Sequence, residues 1–451
     1  MRAPQRILIA LLSISLVSIP AIQSSAAVKA GAKCTKEGQV KNSKGNRFVC
    51  TKQGKTLKWR KVALVAPSPT PNPIQSPSPA PVSTPNPTPS LTPSPTPTPT
   101  AVDAITREYA NIKSLIFYRI NSGELERQSA NGEFFKSDSR MEAIFDPIRV
   151  NAYREIAAVK RTTNHPNIEF IWDIRPGWPK EIQEFKLRRV KESAEFFNSI
   201  FKSKIKVYAL LATEKDINYG PVKNFYFSDT EETVRKLALI SNGNQLVWIG
   251  GGGGYWNREG DTAGRFFLGT PSTAKTSNYE PNWIQLSAHE FFHIVQHYVW
   301  FGRVNQSSER AFNEQVPNHF REGSANFIGY ALSSENLGWY SDAMDNSLAR
   351  YWRSVRGWQP TQTEADMVNL MTLTEHKADQ RAFEVGYPLG AIFYEWMVGT
   401  YGYAKFLSFM DEMGNNADFN SSVQKAFGMT KSELYKKAAP YLLSVFNRVI
   451  N

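Results

Sequence analysis

The stretch Ala288-His289-Glu290-Phe291-Phe292-His293-Ile294-Val295-Gln296-His297 places His-Glu-x-x-His inside an apolar run with helical spacing. On a helix, His289 and His293 lie one turn apart, so both imidazoles project from one face and can bind one metal ion. Glu290 lies about 100° further around the axis, where it can polarise a water molecule without binding the metal. The stretch therefore predicts a buried helix that supplies two metal ligands and one carboxylate base.

A catalytic zinc site needs a third protein ligand and one open position. The metzincin spacing requires a histidine at position 299, but Val299 stands there, which excludes that subclass. His297 lies one turn too far along the helix to reach the same ion, so we expect it to support its neighbours or the fold. The third ligand must therefore come from another part of the chain.

A second motif, Glu322-Gly323-Ser324-Ala325, begins after an interval of 28 residues. The two motifs and their spacing resemble the gluzincin superfamily of zinc metallopeptidases, over roughly residues 168–415. The similarity is greatest to the peptidase MA-like branch, whose second motif reads aromatic-x-x-Glu-Gly-x-Ala. One position departs from that pattern, because His319 stands where the aromatic residue usually lies.

The resemblance implies that His289, His293 and Glu322 bind Zn²⁺ and that Glu290 is the general base. It also implies a supporting role for Asn326, which lies one turn after Glu322. Two neutral imidazoles and one carboxylate leave the ion a net positive charge, which lowers the pKa of bound water towards 7. Glu290 would then take a proton as water attacks a peptide carbonyl, and pass it to the leaving amine.

The developing oxyanion needs a further hydrogen-bond donor. Gluzincins commonly recruit a Tyr or His from the C-terminal helices, and Tyr387 is the candidate here, at the start of a predicted helix over 388–400. Tyr394 and His376 are weaker candidates. A role for Tyr387 in packing alone stays an open alternative.

The N-terminal segment of the chain predicts export. Residues 1–27 combine Arg2 and Arg6, an apolar segment over 7–22 and a small-residue cleavage site, which is typical of a secretory signal peptide. No second apolar span of about 20 residues follows. We therefore expect a secreted or cell-wall-associated protein without a transmembrane segment after cleavage.

Most of the formal charge of +12 comes from a small segment. Residues 28–63 carry nine Lys and two Arg against one acidic residue, Glu37, whereas residues 102–451 hold 40 basic and 40 acidic side chains. The basicity therefore gives no information about the substrate of the large domain. Lysines and arginines interleave with Trp59, which suits an anionic cell-wall polymer. Nucleic acid is the less expected polyanion for an exported chain, and a merely solubilising surface stays an alternative.

The two cysteines of the chain, Cys34 and Cys50, both lie in this basic segment. In an oxidising compartment, such a close pair favours a disulfide, which would stabilise a small module by about 3 kcal/mol. A two-cysteine metal site is the alternative, but no histidine lies nearby. We therefore predict a disulfide module over residues 28–65.

Composition divides the rest of the chain into two parts. Fourteen of the 27 prolines lie in residues 67–100, which predicts an extended, disordered linker over 66–101. Residues 102–451 then form the predicted gluzincin-like domain. Strand patterns at 168–172 and 204–211 precede the His-Glu-x-x-His helix, and almost wholly helical patterns follow it. This order predicts an α+β fold, with a mixed sheet in an N-terminal lobe and a mostly helical C-terminal lobe.

Five consecutive glycines, Gly250–Gly254, follow a predicted strand at 245–249. They lack the spacing of a phosphate-binding loop. In gluzincins the sheet edge above the active helix pairs with extended substrate, and residues 247–253 could do so by strand addition. A flexible surface loop is the alternative.

The sequence as a whole predicts a secreted zinc metalloendopeptidase. One alternative is a surface-binding or adhesion protein with a degenerate metallopeptidase-like domain, although all four motif residues are present. The other alternative keeps the zinc but changes the substrate to an amide of the cell wall.

Overall fold

The computed structural model divides the chain into two units, residues 1–94 and residues 95–451, and each is described by itself. The predicted signal peptide, Cys34 and the predicted linker up to residue 100 lie outside the described residues, so the Cys34–Cys50 disulfide stays a prediction. No helix among the described residues is long and apolar enough to cross a membrane. The structure describes residues 31–33, 40–43, 46–53, 56–62, 101–113, 117–121, 124–128, 132–162, 164–216, 219–220, 249–256, 262–274, 284–301, 316–355, 357–376, 379–416 and 418–450.

An antiparallel sheet forms the described part of the first unit. Its strands are β1 (Val40–Ser43), β2 (Asn46–Gln53) and β3 (Thr56–Val62), in that order. Cys50 and Trp59 are direct cross-strand partners and both are buried. The amide of Trp59 donates to the carbonyl of Ala32 at 2.9 Å, so the segment 31–33 lies along β3.

The second unit contains a mixed four-stranded sheet in the order β6-β7-β9-β8. Strands β6 (Ile168–Ile174), β7 (Ile205–Thr213) and β9 (Thr262–Thr270) are parallel, and β8 (Ile249–Trp256) pairs antiparallel with β9. Helix α5 (Lys180–Phe197) connects β6 to β7, as a parallel pair requires. The residues of its apolar side are all buried: Ile182, Phe185, Val190, Ala194 and Phe197.

The glycine run lies inside a strand. Gly250–Gly254 pair in register with residues 264–268 of β9, so the alternative of a surface loop is wrong. Glycine has a low strand propensity because it loses more backbone entropy and has no side chain to pack. Packing supplies the reason for it here, since β8 lies against the helix that carries His289 and His293. Strand residues without side chains let a helix approach the sheet closely.

Helices make up most of the second unit, and those after residue 284 follow one another without a strand among the described residues. A small hairpin, β4 (Phe117–Asn121) and β5 (Glu124–Gln128), lies before β6. The other helices before β6 are α1 (Ala101–Lys113), α2 (Gly132–Lys136), α3 (Asp138–Glu142) and α4 (Pro147–Ala157). Those after β9 are α6 (Leu286–Phe301), a π-helix (His319–Gly323), α7 (Ser324–Ser333), α8 (Leu337–Ser354), α9 (Glu364–Leu373), α10 (Gln380–Tyr401), α11 (Tyr403–Asn416), α12 (Phe419–Phe427) and α13 (Lys431–Val449).

The expectation of a mixed, mostly helical fold with strands before the metal motif and helices after it is confirmed. At the start of the last helix, Thr430 and Glu433 form a reciprocal capping box. The predicted helix start at residue 388 is wrong. Helix α10 begins at Gln380, capped by Asp379, and contains Pro388 in its interior.

A buried ionic cluster joins four helices of this unit. Arg149 of α4 is fully buried and donates to both carboxylate oxygens of Glu395 in α10, at 2.9 and 3.2 Å. It also donates to Asp345 of α8 at 2.7 Å, and Tyr441 of α13 donates to Glu395 at 2.7 Å. Because α4 supplies the cation that neutralises these carboxylates, α4 is an integral part of the folded unit.

Replacing Arg149 with Met should destabilise the protein by about 3–5 kcal/mol, because the Glu395 carboxylate would stay buried without its cation, whereas Asp345 would keep Arg448. Urea unfolding followed by circular dichroism measures this loss. Arg154→Met on the same helix is the control. Its side chain is 60% exposed and pairs with Glu142, so it should change stability by less than about 1 kcal/mol. Equal effects of the two substitutions would contradict the structural role of Arg149.

Candidate metal centre

Helix α6, which carries the His-Glu-x-x-His motif, is buried on all sides. Phe291 packs against Phe197 of α5 with ring centroids 6.1 Å apart, and Phe292 packs against Phe406 of α11 at 6.3 Å. On the sheet side Ile294 leaves no room for a side chain at position 264 of β9, which is glycine. A helix held by neighbours on every face fixes the direction in which its histidines point.

The π-helix at residues 319–323 carries Glu322. Turns of this kind are rare and are frequent at functional sites. The element crosses α10 closely, since a Cβ at Gly323 would collide with the backbone of Gly390, and a Cβ at Gly390 would collide with the carbonyl of His319. The glycine of the Glu-Gly-x-Ala motif is therefore required by this backbone contact.

Three side chains bring atoms that could bind a metal ion close together between α6 and the π-helix. The Nε2 atoms of His289 and His293 lie 3.1 Å apart. Glu322 Oε2 lies 3.5 Å from the first and 3.3 Å from the second. Ligand atoms placed tetrahedrally at about 2.0–2.1 Å from a zinc ion are about 3.3–3.4 Å from one another. These three buried donors therefore have the spacing of a metal-ligand set.

Glu290 lies beside this set. The donor atoms of His289, Glu290 and His293 all lie within 4.8 Å of one another, and this buried group could hold a metal ion. Of the two carboxylates, Glu322 lies within 3.5 Å of both imidazole Nε2 atoms, so it is the better third ligand. Glu290 is left next to the ligands on the same helix, in the position of a base.

Hydrogen bonds fix the tautomer of His293. Gln296 donates through its Nε2 to the carbonyl of Arg321 and to Ser324 Oγ, both at 2.9 Å, which leaves its Oε1 as an acceptor. His293 Nδ1 lies 2.8 Å from this oxygen and must donate to it. His293 Nε2 is therefore the unprotonated nitrogen, and its lone pair points at the converging donors.

Arg321 orients the carboxylate of Glu322, the candidate third ligand. Its Nε donates to Glu322 Oε1 at 2.9 Å, and its Nη2 donates to Asn318 Oδ1 at 3.2 Å. One carboxylate oxygen is thus engaged, and Oε2 faces the histidines. Burial raises the pKa of Glu322, but the charge of Arg321 is the largest of the effects that overcome this and hold the pKa well below its usual value. The carboxylate therefore stays ionised and favours a cation in the centre.

Tyr387 lies against the centre, as predicted. Its ring stacks on that of His289, with centroids 6.2 Å apart and planes 9° from parallel. Tyr351 of α8 stacks on the far side at 5.9 Å and 4°, and Phe383 contacts its edge at 5.4 Å. Burial, followed by the charge of Glu322, raises the pKa of Tyr387 well above its usual value. The phenol is thus neutral, and its ring is packed on three sides.

Several other residues named in the sequence analysis lie away from the centre or lack the expected contact. Asn326 accepts a hydrogen bond from Gln285 at 3.3 Å, and His289 Nδ1 has no hydrogen-bond partner among the described residues. The expected support of a ligand histidine by Asn326 is therefore not seen. Tyr394 is buried among aromatic rings, His376 is exposed, and His297 is buried on α6.

His319, the departure from the family pattern, is buried away from the ligand atoms. Its Nε2 lies 2.7 Å from the hydroxyl of Tyr435, which donates to Glu375 at 3.1 Å. Burial, followed by the charge of Lys431, lowers the pKa of His319 to about 3, so the imidazole is neutral. His319 therefore fills an aromatic position and ties the π-helix to α13.

Sequence reasoning missed Gln296, Arg321 and Tyr351. Gln296 had a usable signal, since it lies three residues after His293 and shares its helix face. Arg321 and Tyr351 had none, because their roles depend on the π-helical turn and on the packing of α8 against α10.

Comparison of the chain with protein-family models, with curated proteins and with solved structures gives no match. The chemistry of the centre is therefore argued from its donors and their surroundings.

Substitutions in the ligand set and in its support should weaken metal binding to different degrees. Gln296→Ala removes the acceptor that orients His293 and should cost about 10–100-fold in zinc affinity. Glu322→Gln removes a ligand and should cost more. Zinc affinity can be measured by competition with a chromogenic chelator. The control, Glu364→Gln on the exposed start of α9, should leave it unchanged. Full zinc affinity in Glu322→Gln would exclude Glu322 as a ligand.

Proposed function

We propose that the protein is a secreted zinc metallopeptidase of the gluzincin type, in which His289, His293 and Glu322 bind the metal. The observation that carries the proposal is the convergence of two imidazole nitrogens and one carboxylate oxygen within 3.5 Å in a buried position. Three electron-pair donors this close repel one another unless a proton or a metal cation lies among them. The two-motif resemblance adds the expectation of two lobes around a peptide-binding cleft.

The donor set favours zinc over harder metals. Two imidazoles and one carboxylate, with the tetrahedral spacing found here, are a typical catalytic zinc set that leaves one position open. Calcium and magnesium prefer six or more oxygen ligands, and the described centre offers only two carboxylates. A bound zinc ion would supply the positive charge that acidifies a water molecule and polarises a carbonyl.

Glu290 is the proposed general base. It is 6% exposed, and its place on α6 beside both ligand histidines puts its carboxylate next to the reacting water. There it would accept the proton of that water and return it to the leaving amine. The buried surroundings exclude bulk water, which strengthens the electrostatic effect of the carboxylate.

Tyr387 is the proposed donor to the oxyanion. Its phenol is neutral and lies between the rings of His289 and Tyr351. A hydroxyl held in place before the reaction stabilises developing charge without reorganisation. Tyr351 and Phe383 would contribute by holding that ring.

Strand β8 is the proposed site of peptide binding. Among the described residues it pairs with β9 alone and lies next to α6, and its second backbone edge is the one proposed to bind substrate. An extended peptide could add to this edge by main-chain hydrogen bonds. Because Gly250–Gly254 carry no side chains, the peptide backbone could approach closely.

Glu290→Gln should abolish most peptidase activity but retain zinc. We expect kcat/KM on a casein-derived peptide to fall by about 10²–10⁴-fold, with zinc content equal to that of the wild type by elemental analysis. Glu364→Gln serves again as the matched exposed control and should behave as the wild type.

The same assay separates the alternatives. Zinc binding without Glu290-dependent cleavage of peptides in the wild type would overturn the peptidase proposal and favour a binding protein. Release of fragments from purified cell walls, but not from casein, would point to a cell-wall amidase. Absence of zinc from the wild type would overturn the centre itself.

Tyr387→Phe should lower kcat by about 10²–10³-fold, the cost of removing one oxyanion donor, with little change in KM. Steady-state kinetics on the same peptide measure both constants. Tyr394→Phe is the control, since Tyr394 lies on the same helix, is fully buried, and has a hydroxyl without a hydrogen-bond partner among the described residues. An unchanged kcat in Tyr387→Phe would limit Tyr387 to packing.

A further inference from the structure

Among the residues whose side chains the structure describes, three cations share one face of the sheet in the first unit. Lys33 forms an isolated bridge with Lys58 of β3, so the two residues lie directly opposite each other. Opposite residues in an antiparallel pair project to the same face, with Cβ atoms about 4.5–5.5 Å apart. Arg60 lies two residues along β3 and therefore projects to that face as well. Lys33 and Arg60 are exposed and Lys58 is partly exposed. These three residues are called the basic face.

The tryptophan of the segment lies on the opposite face. Trp59 is 6% exposed and packs with Cys50 and Leu57. It alternates with Lys58 and Arg60 along β3, so it cannot share their side of the sheet. Trp59 therefore lies apart from Lys58 and Arg60, although it stands between them in the sequence. A ligand that binds the basic face contacts cations and does not stack on the Trp59 indole.

The charges of the basic face are not neutralised within the described part of the chain. No ion pair found among the described residues includes Lys33, Lys58 or Arg60, and residues 28–63 contain one acidic residue in all. Like charges directly opposite in a sheet repel and destabilise it. Such an arrangement is relieved when an external anion lies between the cations.

We propose that the basic face binds an anionic polymer that repeats phosphodiester or carboxylate groups along its chain, as the polymers of a bacterial cell wall do. The recognition is electrostatic. The cations neutralise successive anions, and no base stacking by Trp59 contributes, which disfavours single-stranded nucleic acid. The basic face lies in the first unit, so its role is independent of the metal centre.

The test uses the full chain and two immobilised probes, poly(glycerol phosphate) teichoic acid and polygalacturonate. Binding of the wild type should weaken more than about 15-fold between 50 and 200 mM salt, since about three contacts each contribute about 0.7 to the slope of log affinity against log salt. The triple variant Lys33→Gln, Lys58→Gln, Arg60→Gln should lose most of its affinity and lower that slope by about 2. The better bound probe identifies the anionic group.

Two controls make the result specific. Lys180→Gln, Lys191→Gln, Lys437→Gln removes the same charge from exposed positions of the second unit and should bind as the wild type. Lys33→Arg with Lys58→Arg keeps the charge and should also bind. Wild-type failure to bind either polymer would overturn the proposal. So would equal losses in the two triple variants, or tighter binding of a single-stranded oligonucleotide than of either polymer.

Discussion

The confinement of three electron-pair donors in a buried space is the constraint on which the second unit depends. His289, His293 and Glu322 hold their donor atoms within 3.5 Å of one another. Apolar surroundings make such an arrangement costly, so each side chain needs independent support. Gln296 fixes one imidazole, and Arg321 holds the carboxylate from its outer oxygen. The neighbouring helices keep these supports in place.

Close backbone contacts fix the relative positions of those helices. Gly323 and Gly390 let the π-helix and α10 touch, and Gly264 lets α6 lie on β9. The same crossing brings Tyr387 over the ring of His289. Away from the centre, the Arg149 cluster joins α4, α8, α10 and α13. The buried polar side chains therefore fix where the helices and the side chains of the centre lie, while the surrounding apolar side chains supply most of the burial.

Local pattern was a good guide wherever one face of an element decides its structure. The apolar spacing of α5 and the cap at Thr430 predicted real helices for that reason. It failed where packing overrode propensity. Gly250–Gly254 form a strand because β9 and α6 accept a strand without side chains, and α10 continues through Pro388 because its neighbours hold it. Neither a run of glycines nor a proline predicts, from the local sequence, a paired strand or an uninterrupted helix.

The sequence by itself determined that His289 and His293 share a helix face with Glu290 beside them, because a four-residue spacing has one geometric meaning on a helix. It also located the excess positive charge in the first unit. Glu322 was reached only through the resemblance of its motif. Tertiary structure alone decided that Glu322 Oε2 meets both imidazoles, that Arg321 and Gln296 orient the ligands, and that Trp59 lies apart from the basic face. These depend on distances between segments far apart in the chain, which only packing sets.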